Sequence, residues 1–261
     1  MSSLLEQVQD GTVSSDYIKN KQRELHSRAP MHCGIENVLP HDILDILIHN
    51  WPTNNSSLWW KNTNSHVKNL QQIWDITKVD IQVRGVIATL QGGRFTKFIS
   101  ELTGIPYLVP DPYYHGGGLN MFTEGGYLQP HVDFNFNQNM QMYRRVNLIL
   151  YLNEHWKPEW GGNLCFWDRD TLNKSPVSYP PIINTAAIFI VDDNCVHGFE
   201  GPVGSDRKCL NLYWYTVEKS DNHQTEPHRS IWFKPRDTYF FDNDKVDEGE
   251  SKGDYFDSLH N

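Results

Sequence analysis

The chain has 261 residues, of which 38% are hydrophobic, 13% aromatic and 21% charged, with a formal net charge of −9. This length and composition are sufficient for one sizeable hydrophobic core. The acidic balance and the lack of any block of basic residues argue against a nucleic-acid-binding surface.

Much of the negative charge lies near the C-terminal end, where residues 242–257 contain seven acidic residues and two lysines. We predict a solvated tail there. The four cysteines form no C-x-x-C pair, the first residues lack the pattern of a signal peptide, and no apolar run is long enough to span a membrane. These features predict a cytoplasmic protein with reduced thiols and no membrane partner.

Residues 1–104 are predicted to form a mainly helical N-terminal support region. Apolar spacing and helix-start signals predict three helices, at about residues 15–26, 39–48 and 93–102, and a short strand at residues 31–38. Residues 51–80 are rich in Trp, Asn and Lys and show no clean period.

From Ile105 onward, short runs rich in β-branched and aromatic residues alternate with Gly, Pro, Asn and Asp. Eight strands are predicted, at about residues 106–110, 117–123, 127–133, 144–152, 163–168, 186–191, 196–200 and 207–216. No helical pattern separates them, which indicates an antiparallel sheet system. The predicted fold is mainly β, with a jelly-roll core over residues 105–216, the N-terminal helices on its outer face, and a C-terminal extension over residues 217–261. We expect a single domain.

The stretch GGYLQPHVDF, residues 125–134, places His131 and Asp133 two positions apart on a predicted strand. Side chains alternate along a strand, so both residues project from the same face. An imidazole nitrogen and a carboxylate oxygen are two of the three ligands of a 2-His-1-carboxylate Fe(II) site. H-x-D alone is a weak pattern. The alternative interpretation is that these are simply two polar residues on a surface strand.

His197 is the candidate third ligand, because it begins a predicted strand that can run back beside the first. The alternative interpretation of His197 is a structural histidine held by hydrogen bonds. Arg207 opens the strand RKCLNLYWY, in which Arg207, Cys209, Asn211 and Tyr213 share one face. A buried arginine requires an anionic partner, and its guanidinium pairs well with the carboxylate of an organic acid.

The strand between these motifs, RRVNLILYLN at residues 144–153, alternates in the same way. Asn147, Ile149 and Tyr151 are predicted to face one side, with Val146 and the leucines on the other. An amide and a phenol on the cavity side can complete the hydrogen bonds of the same carboxylate. A buried structural role is the alternative for Tyr151.

Taken in order, these motifs resemble the iron(II)/2-oxoglutarate-dependent oxygenases, and within them the prolyl-4-hydroxylase-like branch. The segment WGGNL at residues 160–164 adds to the resemblance, which covers roughly residues 90–216. It implies a double-stranded β-helix in which His131, Asp133 and His197 hold Fe(II). It also implies that Arg207 binds 2-oxoglutarate, with Tyr151 beside it.

The resemblance further implies a reaction that consumes O2, decarboxylates 2-oxoglutarate to succinate and CO2, and oxidises a C–H bond of a substrate. Asp133 is intact at the position where halogenating members have a small residue, which favours hydroxylation. Asn120 follows GGGL at a position where close relatives are expected to have histidine.

Several further residues are candidates on position alone. Asn147, Ile149 and Asn211 are assigned to the 2-oxoglutarate site, and Asn120, Tyr127, Phe134 and Asn135 to the substrate pocket. The first substrate hypothesis is a small metabolite or biosynthetic intermediate, and the second is a prolyl residue of a protein or peptide. A different class is a non-catalytic jelly-roll binding protein that contains a metal. Desaturation, epimerisation and ring closure are alternative outcomes at the same iron centre.

Overall fold

A computed structural model describes residues 2–199, 201–220 and 226–234. The acidic tail predicted at residues 242–257 lies outside the described residues. Within the described ranges, no helix combines the length and the hydropathy that a membrane crossing requires.

The α-helices of the described chain all precede residue 105. They are α1 (Leu4–Asp10), α2 (Ser15–His26), α3 (His41–His49), α4 (Ile81–Leu90) and α5 (Gly93–Thr103). Single-turn 3-10 helices occur at Ile76–Lys78 and Pro158–Trp160. The predicted helices at residues 15–26, 39–48 and 93–102 are confirmed, and α1 and α4 were not predicted.

Twelve strands are formed by the described residues. They are β1 (His32–Glu36), β2 (Trp60–Asn62), β3 (Val67–Ile73), β4 (Val109–Pro110), β5 (Gly118–Val132), β6 (Phe136–Asn137), β7 (Met142–Tyr151), β8 (Leu164–Trp167), β9 (Thr185–Ile190), β10 (Val196–Phe199), β11 (Arg207–Thr216) and β12 (Ile231–Trp232). Their pairings are antiparallel, in the order β1-β9-β7-β11-β5-β10-β8 along the main path of one curled sheet. The mainly β, jelly-roll prediction is confirmed.

Strand β5 organises the functional part of this sheet. Its 15 residues replace the two separate strands predicted at residues 117–123 and 127–133. The first half pairs with β11, and the second half pairs with β10, where His131 lies directly opposite His197. Gly198 permits this approach, because a Cβ there would lie 2.9 Å from the Leu128 carbonyl oxygen.

The main core lies between the helices and one face of the sheet. Leucines and aromatic residues of α2–α5, such as Leu25 and Phe95, pack with Leu148 of β7 and Trp214 of β11. The Trp214 indole also donates a hydrogen bond of 3.1 Å to Thr96 Oγ1 of α5. The prediction that the N-terminal helices cover the outer face of the sheet is therefore confirmed.

The N-terminal region nevertheless does more than support the sheet. β1 extends it beyond β9, and the β2–β3 hairpin (residues 60–73) adds β3 along β5. β3 was not predicted because its register shifts between Lys68 and Leu70, and Asn69 has a φ of 56°. This irregularity interrupts the alternation by which a strand is recognised.

Candidate metal and 2-oxoglutarate site

The three candidate ligands converge at one point: His131 from β5, Asp133 from the turn after β5, and His197 from β10. One ligand atom from each residue lies within 4.8 Å of the others. His131 Nε2 is 3.4 Å from Asp133 Oδ1, and His197 Nε2 is 3.4 Å from Asp133 Oδ2. The three side chains that were the candidate ligands thus lie together, and the arrangement is the donor set of a 2-His-1-carboxylate metal site.

Hydrogen bonds prepare both imidazoles for metal binding. His131 Nδ1 lies 2.9 Å from the Gln129 carbonyl oxygen, and His197 Nδ1 lies 3.0 Å from that of Cys195. A carbonyl oxygen accepts only, so each Nδ1 must carry the proton and each Nε2 presents a lone pair to the shared point. Burial also lowers the pKa of His197 to about 4, which keeps its ring neutral.

Two buried side chains orient the carboxylate of Asp133. Asn147 Nδ2 donates to Asp133 Oδ2 at 2.8 Å, and Arg144 Nη2 lies 3.2 Å from the same oxygen. Arg144 Nε in turn donates to Asn147 Oδ1 at 2.8 Å. Burial favours the neutral acid, but the charge of Arg144 and the interactions with His197 and His131 together outweigh it, so the pKa of Asp133 lies below its usual value. Asp133 therefore stays ionised and held in place, as a metal ligand requires.

Arg144 was not predicted as a site residue. Strict alternation along β7 would put it on the core face with Val146 and Leu148. However, Val146 lies opposite Trp214 while Arg144 lies opposite Tyr215, so Arg145 is an extra residue in the pairing and forms a bulge. This bulge turns Arg144 towards Asp133, where its guanidinium carbon lies 3.5 Å from the centroid of the Tyr213 ring.

Asn147 was assigned to the 2-oxoglutarate carboxylate, and the structure gives it a different position. Its amide is bonded at both ends, to Asp133 and to Arg144. It also lies opposite Tyr213 on β11, six residues along that strand from Arg207. Asn147 thus contacts the metal ligand, not the group beside Arg207.

Arg207 fits the role of a carboxylate-binding residue. Its side chain is 3% exposed, and Nε donates to the Gly162 carbonyl oxygen at 2.8 Å. The other contacts of its guanidinium are long, at 3.4 Å to Tyr151 Oη and 3.8 Å to Cys209 Sγ. Among the described residues, no carboxylate lies within ion-pair distance of Arg207. A buried guanidinium without an anion is costly, so a bound organic anion is expected to complete this site.

Gly162 is required beside Arg207. It has a φ of +71°, and a Cβ there would lie 2.9 Å from Val203 and 3.2 Å from Arg207 Cδ. Tyr151 is fully buried on the other side, and burial raises the pKa of its phenol, which therefore remains neutral. The Tyr151 hydroxyl can accept from Arg207 and donate to the same bound anion.

One cavity of about 430 Å³ joins the two parts of the site, since both the three candidate ligands and Arg207 line it. Ile149 and Asn211 line it as well, and Asn211 Oδ1 is a buried acceptor with no hydrogen-bond partner among the described residues. The β2–β3 hairpin contributes Trp60 and Gln72 to its wall, and the segment of residues 226–234 contributes Trp232.

The four residues assigned to the substrate pocket divide into two pairs. Phe134 and Asn120 line the cavity. Asn120 is held by its neighbours, since it accepts from Gln72 Nε2 at 2.5 Å and donates to the carbonyl oxygens of Gly117 and Gly118. It therefore ties the hairpin to β5.

Tyr127 and Asn135, also assigned to the substrate pocket, are not among the residues that line the cavity. Tyr127 lies opposite Lys68 and packs near Gly201 on the other side of β5. The register shift between His197 and Phe199 moves the cavity face of this strand from Tyr127 to Leu128. Asn135 is buried, and its side chain bonds to the backbone of Glu226 and His228.

Comparison with known proteins identifies the class to which this site belongs. A model of the 2OG-Fe(II) oxygenase superfamily matches residues 116–215, the segment that contains the three candidate ligands and Arg207. The match covers 100 of the 261 residues, and over that segment the chain is similar to this superfamily. No curated protein matches the sequence significantly.

Solved structures of prolyl hydroxylases share the fold. A prolyl-4-hydroxylase from Pseudomonas putida is 16% identical, with a TM-score of 0.55 over 77% of this chain and 99% of that chain. A prolyl hydroxylase from Trichoplax adhaerens, in complex with a hypoxia inducible factor peptide fragment, is 17% identical, with a TM-score of 0.56 over 79% and 95%. A viral collagen prolyl hydroxylase from Paramecium Bursaria Chlorella virus-1 is 18% identical, with a TM-score of 0.51 over 74% and 99%.

The protein is therefore an Fe(II)- and 2-oxoglutarate-dependent dioxygenase, with Fe(II), 2-oxoglutarate and O2 as its cofactor and cosubstrates. The donor set of His131, Asp133 and His197 fits Fe(II), and the uncompensated guanidinium of Arg207 fits the dianionic cosubstrate.

Proposed function

We propose that this dioxygenase hydroxylates an unactivated C–H bond of a small metabolite or biosynthetic intermediate. The observation that carries the proposal is the single cavity shared by the three candidate ligands and Arg207, which leaves room for a substrate beside the cosubstrate. Bound Fe(II), with 2-oxoglutarate and O2, supplies the oxidising power and releases succinate and CO2.

The side chains of this chain have separate tasks in that reaction. His131 and His197 would hold the metal through their Nε2 lone pairs, and the Asp133 carboxylate would be the third protein ligand. Arg144 and Asn147 fix the Asp133 carboxylate. Arg207, held by the Gly162 carbonyl oxygen, binds the distal carboxylate of 2-oxoglutarate.

The walls of the cavity support a small substrate. The β2–β3 hairpin and the segment of residues 226–234 both line it, in addition to the strands of the sheet. A peptide needs an extended groove with open ends, whereas walls on several sides suit a compact molecule and exclude water from the reacting atoms.

A prolyl residue in a peptide or protein is the second candidate substrate. The Trichoplax adhaerens prolyl hydroxylase that shares this fold was solved with a peptide fragment bound. Both candidates need the same metal and 2-oxoglutarate site, so only the substrate distinguishes them.

The first test is an anaerobic titration of the purified apoprotein with Fe(II) and then 2-oxoglutarate, monitored by the visible charge-transfer band of the complex. Asp133→Ala is expected to abolish the band, and Arg207→Gln to raise the 2-oxoglutarate requirement on the order of 100-fold, because one partner of a buried charge pair is lost. Lys208→Gln is the matched control, since Lys208 is the next cation on β11 but does not line the cavity.

If Asp133→Ala and His197→Ala both retain the charge-transfer band, the assigned ligands are contradicted. Once the complex is established, succinate release above the substrate-free rate identifies the substrate class. Stimulation by small molecules, with a product heavier by one oxygen atom, is expected. Stimulation by proline-containing peptides alone would replace the first candidate with the second.

A further inference from the structure

Two segments that contact the candidate metal site lie outside residues 116–215, the stretch that matches the superfamily. One is the β2–β3 hairpin, whose loop contains His66. The other is the segment of residues 226–234, here called the strap, which contains Trp232. Both segments also line the cavity. The surroundings of His131 are therefore built partly by chain that the match does not include.

Gln129, two residues before His131 on β5, links this candidate ligand to the hairpin loop. Its carbonyl oxygen accepts the 2.9 Å hydrogen bond from His131 Nδ1. Its side chain is 3% exposed, with Nε2 donating to the Ser65 carbonyl oxygen at 2.9 Å and Oε1 lying 2.9 Å from His66 Nδ1. Gln129 N also donates to the His66 carbonyl oxygen at 3.0 Å. The loop thus holds both the backbone and the side chain of the residue that orients His131.

The direction of the hydrogen bond between His66 and Gln129 follows from the other partner of the amide. Since Gln129 Nε2 donates to Ser65, the opposite end of the amide is Oε1, which can only accept. His66 Nδ1 therefore carries a proton and donates it. Without this donor a buried carbonyl oxygen would lack a partner, and Gln129 would no longer be fixed in its present position.

Trp232 of the strap contacts the rings of both histidines. Its ring lies 4.6 Å from the His66 ring, nearly parallel at 8°, and 4.8 Å from the His131 ring, inclined at 33°. The backbone fixes this arrangement, because Trp232 lies opposite His131 in the pairing of β12 with β5. Phe233 N also donates to the Pro130 carbonyl oxygen at 2.9 Å. The indole is therefore held beside the candidate ligand.

The two sets of contacts restrict the His131 ring in different directions. The hydrogen bond at Nδ1 opposes rotation of the ring about its Cβ–Cγ bond, and the indole of Trp232 limits its movement towards the strap. A side chain that is already ordered loses less conformational entropy when it binds a metal. Partners that orient a metal ligand typically change metal affinity by about 10–100-fold when they are removed.

We infer that His66 and Trp232 are positioning residues for His131, and that the hairpin and the strap thereby complete the metal site. His66 acts through the Gln129 side chain, and Trp232 acts by direct ring contact. Neither residue belongs to the donor set itself. The inference rests on the ligand set of the proposed function and is independent of the substrate.

The first test is a double-mutant cycle on His66 and Gln129, with Fe(II) affinity as the readout. His66→Phe keeps a ring against Trp232 and removes the donor, whereas Gln129→Leu removes the acceptor with little change in volume. Each single substitution is expected to weaken Fe(II) binding by about tenfold. The double variant is expected to bind as weakly as Gln129→Leu alone, because both changes break the same hydrogen bond.

The second test is Trp232→Leu, which keeps an apolar side chain on the strap and removes the ring beside His131. It is expected to weaken Fe(II) binding by about tenfold. Ile231→Ala is the matched control, because Ile231 lies on the same strand but is 36% exposed and does not line the cavity. Lys61→Gln, at an exposed position of β2, is the control for the hairpin. Anaerobic competition with a chromogenic chelator measures the affinities of the full-length proteins, and far-UV circular dichroism verifies that each variant is folded.

An Fe(II) affinity of His66→Phe or Trp232→Leu equal to that of its control would overturn the inference for that residue. Additive losses in the double variant would also overturn it, since His66 would then act by a route other than Gln129. Absence of Fe(II) binding in the wild-type protein, or full affinity in His131→Ala, would instead contradict the ligand set, and the proposed function with it. Measurements on the wild type and His131→Ala therefore distinguish the two failures.

Discussion

At the scale of single residues, the site depends on side chains that orient the iron ligands as much as on the ligands themselves. Arg144 and Asn147 hold one oxygen of Asp133, and two backbone carbonyl oxygens fix the imidazoles. Partners that orient metal ligands typically change metal affinity by about 10–100-fold when removed. This makes the contribution of Arg144 measurable.

Arg144→Gln is expected to weaken Fe(II) binding by about 10–100-fold, because the Asp133 carboxylate loses its cation and Asn147 loses its donor. Anaerobic competition with a chromogenic chelator measures the affinity. Arg145→Gln serves as the control, since Arg145 donates instead to Thr216 Oγ1 at 3.0 Å. Equal Fe(II) affinities in the two variants would show that Arg144 does not position Asp133.

At the scale of elements, irregularities in three strands determine which side chains enter the cavity. The bulge at Arg145 in β7 turns Arg144 inward, and the register shift between β10 and β5 excludes Tyr127. The shift within β3 lets the hairpin follow β5. Where alternation is regular, as from Val146 to Tyr151, the predicted faces are correct. A bulge exchanges the two faces, so the errors are confined to its surroundings.

Two glycines in the helices allow a matched test of the backbone conformations assigned to them. Gly85 lies inside α4 and Gly104 ends α5 with a φ of +73°, and neither would bring a Cβ within 4 Å of another atom. Gly85→Ala is expected to raise the free energy of unfolding by about 0.5–1 kcal/mol through helix propensity. Gly104→Ala is expected to lower it by about 1–2 kcal/mol through left-handed strain.

Urea denaturation of the two single variants measures both effects with the same chemical change. Because both glycines are exposed, burial does not contribute to the difference. Effects of the same sign in the two variants would contradict the conformations assigned to the two backbone positions.

At the scale of the whole molecule, the N-terminal region and the strands share one core. Residues of α1–α5 and of β1 belong to the same hydrophobic cluster as those of β7, β9 and β11. We expect a single cooperative unfolding transition, with coincident curves from far-UV circular dichroism and tryptophan fluorescence. Two separated transitions would show that residues 1–104 and the sheet are independent domains.

Stability is also expected to depend on pH through buried His32. Burial lowers its pKa to about 4, from an ordinary value of 6.5. Between these values the unfolded chain binds a proton that the folded chain does not, so stability falls as the pH decreases from 6.5 towards 4. This histidine should account for about 2 kcal/mol of stability lost between about pH 7 and about pH 5.

His32→Phe removes the titration and retains a ring that can stack on Phe166, which lies 3.9 Å from the His32 ring. Urea unfolding of the variant at the two pH values should show a loss smaller by about 2 kcal/mol than in the wild type. His41→Asn, at an exposed position, should leave the pH dependence unchanged. An unchanged dependence in His32→Phe would contradict the assignment.

The sequence alone determined which residues are the candidates for the metal donor set and for the cosubstrate anchor. His131, Asp133, His197 and Arg207 carry a chemistry that few other residue types supply, and their spacing on regular strands places them on one face. Only the tertiary structure decided what surrounds them: the inward turn of Arg144, the commitment of Asn147 to Asp133, and the walls contributed by the hairpin and the strap. These depend on strand register and on contacts between segments distant in the chain, which local alternation does not encode.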